Sequence, residues 1–245
     1  MQGLERFHVG CSGWYYRHWE GVLYPPGTDK SKYFEYYCKA FRTVEINSTF
    51  YKMPFRGYVK GWVRKAPSGF VYAVKMNRRI THENRLKDVD FILNDFLGRI
   101  KPLKDAGKLG PILVQLPPGL HRDDGLLERF LSILPRGYEY AVEFRHRSWF
   151  EGEVLRLLER YGVAFCVVSA PRMPSMAEST CDFAYVRFHG VKRWYNYNYS
   201  REELQQWANR ISKLPVQRVY IYFNNDPYGY AVRNAKTMIG LLSHI

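Results

Sequence analysis

A chain of 245 residues with 46% hydrophobic side chains can bury a sizeable core, which excludes a sequence disordered by composition. Its 37 basic against 23 acidic residues leave a formal charge of +14, which disfavours cationic partners and favours an anionic small molecule or nucleic acid.

In chain order, Phe7–Ser12 reads as a strand and Lys32–Ala40 as a helix, then Thr43–Asn47 as a strand and Arg56–Lys65 as a helix. Phe70–Lys75 and Pro111–Leu116 are the next strands, followed by the helices Val89–Lys101 and Gly125–Leu134 respectively. Tyr140–Phe144 precedes a helix at Glu153–Tyr161, and Ala164–Val168 precedes SAPRMPSMAESTCD (169–182). There Pro171 and Pro174 argue against a full helix. Ala184–His189 with Arg201–Lys213, and Val219–Asn224 with Val232–Ser243, complete the series. Eight strand–helix alternations predict an α/β chain folded as a single TIM-like (β/α)8 barrel domain over 1–245, its sixth helix irregular or missing. A doubly wound open sheet is the other arrangement such a pattern allows.

Side chains alternate across a strand, so the apolar parity marks the face beneath the helices. Val44 and Ile46 then leave Glu45 and Asn47 facing inward, and Val142 and Phe144 leave Glu143 and Arg145. Val186 and Phe188 leave Arg187 and His189, while Lys75, Gln115 and Asn224 end their strands on the same parity. All lie toward C-terminal strand ends, where active sites of this fold sit. A network of buried ion pairs, Glu143 with Arg145 or Arg187, is the structural alternative.

The segments GCSGWYYRHWEGVLYP (10–25), TVEINSTFY (43–51), ITHENRL (80–86), QLPPG (115–119), VEFRHRSW (142–149), RFHG (187–190) and YFNND (222–226) run through the whole chain. On these motifs the sequence resembles the YecE-like family of uncharacterised proteins, domain-of-unknown-function family 72. Cys11 stands where Thr is the commoner residue. The resemblance implies a TIM-like barrel with a shared polar pocket and no established reaction. That barrel is similar to the endonuclease-IV-like one, a likeness of fold that transfers no function.

Lys75, Arg145 and Arg187 suit phosphate or carboxylate oxygens. Glu45 and Glu143 are then candidates for acid/base catalysis, with His189 as a proton shuttle. Two inward carboxylates also fit glycoside hydrolysis. Aromatic residues follow three strands: Trp14 with Tyr15 and Tyr16, Trp149 with Phe150, and Tyr195 within RWYNYNY (193–199). They would stack on sugars or bases, or cap the strand ends as apolar lids. Trp14, Trp149 and Tyr195, with Lys75, Arg145 and Arg187 and with Asn47, His82, Gln115, His146 and Asn224, make the expected ligand-binding set.

The ligand-type residues Glu45, His82, Glu143, His146, His189 and Asp226 support a divalent metal as a rival reading. No H-E-x-x-H or paired-His spacing accompanies them, and no cofactor is expected. Asp226 before Pro227 also reads as a helix cap, as does Ser148 before Trp149. Cys11, Cys38, Cys166 and Cys181 lack C-x-x-C spacing, as thiols of a reducing compartment do. The opening MQGLERFHVG has no apolar leader core and no run approaches ~18 apolar residues, so a cytoplasmic protein without a membrane partner is expected.

Overall fold

The computed structural model describes residues 4–245; the first three residues of the MQGLERFHVG segment lie outside them. The strands are β1 Phe7–Cys11, β2 Thr43–Ile46, β3 Val71–Lys75, β4 Leu109–Gln115, β5 Tyr140–Glu143, β6 Ala164–Ser169, β7 Phe183–Phe188 and β8 Arg218–Phe223. The α-helices are α1 Tyr33–Ala40, α2 Ser48–Tyr51, α3 Arg56–Lys65, α4 Asp90–Asp105, α5 Asp124–Ser132, α6 Gly152–Arg160, α7 Arg201–Ser212 and α8 Tyr230–Leu242. The strand order is β1-β8-β7-β6-β5-β4-β3-β2, and the fold is of the expected TIM-like (β/α)8 class. Among the described residues no helix is long and apolar enough to cross a membrane.

The described residues up to Glu45, together with Val167–Ile245, form one compact unit, and Ile46–Cys166 form another. In the first, β8 pairs in parallel with β1 and β7, setting Gly10 and Arg187 each opposite Tyr222. Helix α8 lies on β1 and β8 and buries Ala231, Val232, Ala235 and Met238. Phe188 stacks on Phe223 at 4.5 Å with the Trp207 ring at 5.3 Å from Phe188, giving α7 its apolar seat. A capping box between Ser200 and Glu203 starts α7 where the sequence predicts it. Gly10 is required by space: a Cβ there would meet the Thr43 carbonyl oxygen at 2.2 Å. No helix forms over residues 170–182, as Pro171 and Pro174 predict. A cavity of about 300 Å³ lined by Ser169, Met173, Trp207 and Arg210 adjoins this segment.

In the second unit β3, β4 and β5 pair in parallel, with Lys75 opposite Leu113 and Gln115 opposite Glu143. Period-2 alternation therefore puts Lys75, Gln115 and Glu143 on one face at the C-terminal strand ends. Helix α4 runs to Asp105, past Pro102, although an end at Lys101 is expected. Leu103 is fully buried there, and its packing outweighs the one hydrogen bond that Pro102 forgoes. Between β3 and α4 the chain makes a single π-helical turn, Arg79–Glu83. Such turns widen a helix and are frequent at functional sites.

Candidate functional site

In the first unit the inward parity of β2 and β7 builds a buried polar cluster. Glu45 is fully buried and accepts hydrogen bonds from Ser12 Oγ at 2.7 Å, Tyr185 OH at 2.7 Å and Arg187 Nη2 at 2.6 Å. Burial by itself would push its carboxyl up, but the Arg187 charge and these three donors outweigh that and hold it below its ordinary value. Glu45 is therefore an ionised anchor. Of the acid/base role expected of Glu45, the acid half is disfavoured by this grip, because an ionised carboxylate has no proton to give. Arg187 Nη1 lies 3.3 Å from His189 Nε2. A guanidinium can only donate, so this geometry needs a lone pair on that imidazole nitrogen.

Around His189 stand Trp194 at 5.4 Å and Tyr195 at 5.5 Å between ring centroids. The Tyr195 N–H donates to the His189 carbonyl at 2.6 Å from a left-handed backbone, φ 63°. Trp14 is half-buried against Phe34 at 5.0 Å. The Asn224 N–H donates to Phe188 O at 2.9 Å, so its backbone continues the ladder past β8. Asp226, read as a cap or ligand, does not cap the 3₁₀ turn Pro227–Gly229 that follows it, but its carboxylate accepts from the Ala231 N–H in the first turn of α8. The carboxylate also accepts from Trp19 Nε1 and meets His18 Nε2, each at 2.8 Å. Cys11 is buried, which pushes its thiol well above the ordinary value and leaves it no nucleophile.

The second unit holds a different arrangement. Lys75, 8% exposed, donates to Gln115 Oε1 at 2.6 Å, and its ammonium sits 4.0 Å from the Phe50 ring centre. Both of these neighbours are neutral. Thr49 donates to the Lys75 carbonyl at 2.6 Å and Asn77 to the Thr49 carbonyl at 2.8 Å, which ties α2 to β3 and fixes Phe50 over the lysine. Asn47 stands half-buried just ahead of α2. Arg145 Nε donates to Glu143 Oε1, and both side chains are buried. Glu143, expected to be catalytic, thus orients a guanidinium.

His82 lies in the π-turn, its ring edge-on to Phe50 at 4.8 Å and its Nδ1 2.9 Å from Thr81 Oγ1. Burial, then the positive charges of Lys75, Arg78 and Arg145, hold this imidazole down at about 4, neutral at physiological pH. His146 stacks on His121 with ring centres 3.8 Å apart, and its Nδ1 accepts from the Ser148 N–H.

Two expectations are corrected here. Trp149 is no ligand platform: it is fully buried, stacked on Phe144 at 4.8 Å, with its indole N–H donated to Leu120 O at 2.7 Å. Ser148 caps nothing. His146 caps the short 3₁₀ turn Arg147–Trp149, and α6 begins only at Gly152.

Sequence reading missed Ser12, Tyr185, Phe50 and Arg78. The alternation that places Arg187 also places Tyr185, two residues before it, so that signal was present. Phe50 carried none, because its role depends on α2 folding back over Lys75. Among the described residues no group of three His, Cys, Asp or Glu is placed to hold a metal.

Comparison with known proteins follows this geometry. The family model described as "Protein of unknown function DUF72" matches residues 8–244. The chain is similar to the UPF0759 protein YunF of Bacillus subtilis, 28% identical over 96% of this chain and 94% of that protein. It is also similar to the UPF0759 protein YecE of Escherichia coli, 34% identical over 51% of this chain and 46% of that one. Among solved structures, a DUF72 family protein from Thermotoga maritima superposes with a TM-score of 0.89 at 33% identity, covering 97% of this chain and 99% of that one. One from Enterococcus faecalis, at 20% identity and a TM-score of 0.85 over 97% and 95% of the two chains, shares the fold.

Proposed function

This chain belongs to the DUF72 family of proteins of unknown function, and from that premise we propose an enzyme that acts on a phosphate-bearing substrate by acid/base catalysis. Its anionic group binds at the β3–β5 strand ends, on Lys75 and Arg145. One observation carries the reading: a half-buried imidazole, held neutral first by burial and then by the charges of Lys75, Arg78 and Arg145, lies beside positive charge at the face where TIM-like enzymes work. An anion is the ligand such charge selects. Arg145 presents a planar fork to phosphate oxygens, its plane set by Glu143, and Lys75 adds a point charge.

Phosphate binding offsets the charge contribution to the depression of His82, while burial remains. The imidazole then takes up a proton and can return it to a departing oxygen, with phosphoester hydrolysis as the reaction class. The compartment we propose is the cytoplasm, where buried thiols such as Cys11 and Cys166 persist.

The test is calorimetric titration of the protein with inorganic phosphate. Lys75→Met is expected to weaken binding roughly ten- to a hundredfold, the worth of one charge-assisted contact. The His82 carboxyl-free switch also has a defined sign. Its folded value, about 4, lies below the ordinary 6.5, so its contribution to stability is complete above 6.5 and is lost as pH falls toward 4. Phosphate reverses this by raising the value, so between those limits binding takes up protons and tightens as pH falls. Titrations in buffers of different ionisation enthalpy should show that uptake in the wild type and none in His82→Asn. Absence of phosphate binding, or binding without proton uptake, would overturn the reading.

A further inference from the structure

We propose that α3 and the turn before it form a surface for single-stranded nucleic acid, with Phe55 and Tyr58 stacking on bases and Arg56, Lys60 and Arg64 lying along the phosphates. The surface is independent of the anion site at Lys75. Helix α3, RGYVKGWVRK, buries only Val59 and contains no acidic residue. Lys52, Arg56, Lys60, Arg64 and Lys65 are all exposed, and among the described residues none of them forms an ion pair.

In α1, α4 and α6, by contrast, Lys39 pairs with Glu35, Lys101 with Asp105 and Arg156 with Glu153. Arg56, Lys60 and Arg64 recur every fourth residue and so form one ridge, stepping about 6 Å along the axis. The spacing is comparable to that of successive phosphates on an extended strand.

Beside the ridge stand bare aromatic rings. Tyr51 is 72% exposed, Phe55 65% and Tyr58 71%, and Phe91 on the adjoining α4 is 84% exposed. The Phe55 and Tyr58 rings lie 5.8 Å apart, nearly perpendicular. Large apolar groups cost free energy in water, and four in one unit call for a partner. The identity of the rings selects the partner. Every large hydrophobic side chain exposed in this unit is aromatic and none is aliphatic, whereas a membrane-seated face carries Leu beside its Trp and Phe. Cations with planar rings are the composition that grips a single strand, the cations following the backbone and the rings stacking on bases of any sequence.

Fluorescence anisotropy with a labelled oligothymidylate tests this. The wild type should bind, and its affinity should fall with salt by a log–log slope of about −0.7 per phosphate contact. The double charge reversal Arg56→Glu, Lys60→Glu should flatten that slope and weaken binding more than tenfold. Phe55→Ala with Tyr58→Ala should weaken binding about tenfold or more without changing the slope. Both pairs are exposed, so circular dichroism and melting should match the wild type.

Lys75→Met should leave oligonucleotide binding unchanged, which separates failure here from failure at the phosphate site. Loss of binding with the charge reversal but not with the ring deletions would overturn the proposal, leaving only non-specific charge attraction. Wild-type binding to phosphatidylserine vesicles but not to the oligonucleotide would overturn it in favour of a membrane.

Discussion

Glu45→Gln is expected to cost about 3–5 kcal/mol of folding stability, read as a fall in the urea midpoint at unchanged slope. The substitution keeps the side-chain volume and removes the charge, and it leaves the Arg187 guanidinium facing a neutral amide inside a fully buried cluster. A buried charge that loses its counter-ion keeps its desolvation cost and forfeits the attraction that offset it. Ser12 donates to Oε1 and Tyr185 to Oε2, so the amide keeps one of these acceptors and turns the other into an NH2 donor, adding a lost hydrogen bond to the electrostatic defect. Replacing both partners, Glu45→Leu with Arg187→Met, should recover most of the loss, because an apolar pair carries no desolvation cost.

The same anchor makes the protein sensitive to acid. The Glu45 carboxyl is held below its ordinary 4.5, so its contribution is complete above that pH and disappears as pH falls through the depressed value. A loss under about 1 kcal/mol in Glu45→Gln would return Glu45 to the list of catalytic candidates.

Trp149→Ala is expected to cost about 3–5 kcal/mol as well, by a different route. The indole is fully buried, its ring stacked on Phe144 and its N–H spent on Leu120 O. Truncation opens a cavity the size of the ring and strands a carbonyl acceptor. Phosphate affinity should be unchanged once the protein is compared at a temperature where both forms are folded. A variant that melts like the wild type but binds phosphate weakly would show that Trp149 faces ligand after all.

The contrast between Trp149 and Phe50 shows what a linear reading reaches. Both are aromatic residues just beyond strand ends. Trp149 drew notice because it stands in VEFRHRSW, beside charged residues, yet the 3₁₀ turn at Arg147–Trp149 directs it into the core. Phe50 drew none, yet α2 folds it over the Lys75 ammonium. His82 was legible as a candidate from its residue type alone. Its neutrality was not, because that depends first on burial and then on the charges of Lys75, Arg78 and Arg145, the last of which comes from a strand end more than sixty residues away.

Sequence by itself determined the elements and their faces. Period-2 alternation is a local property, set by the geometry of one strand, so it placed Glu45, Lys75, Gln115, Glu143, Arg145, Arg187 and His189 on a common parity without any tertiary information. The prolines at 171 and 174 likewise removed the sixth helix by a local loss of backbone donors. Only the tertiary structure decided what those groups do. Glu45 and Arg187 are separated by 142 residues and meet at 2.6 Å through strand order and register. Whether a carboxylate is an acid or an anchor depends on its partners and burial, and both belong to long-range packing.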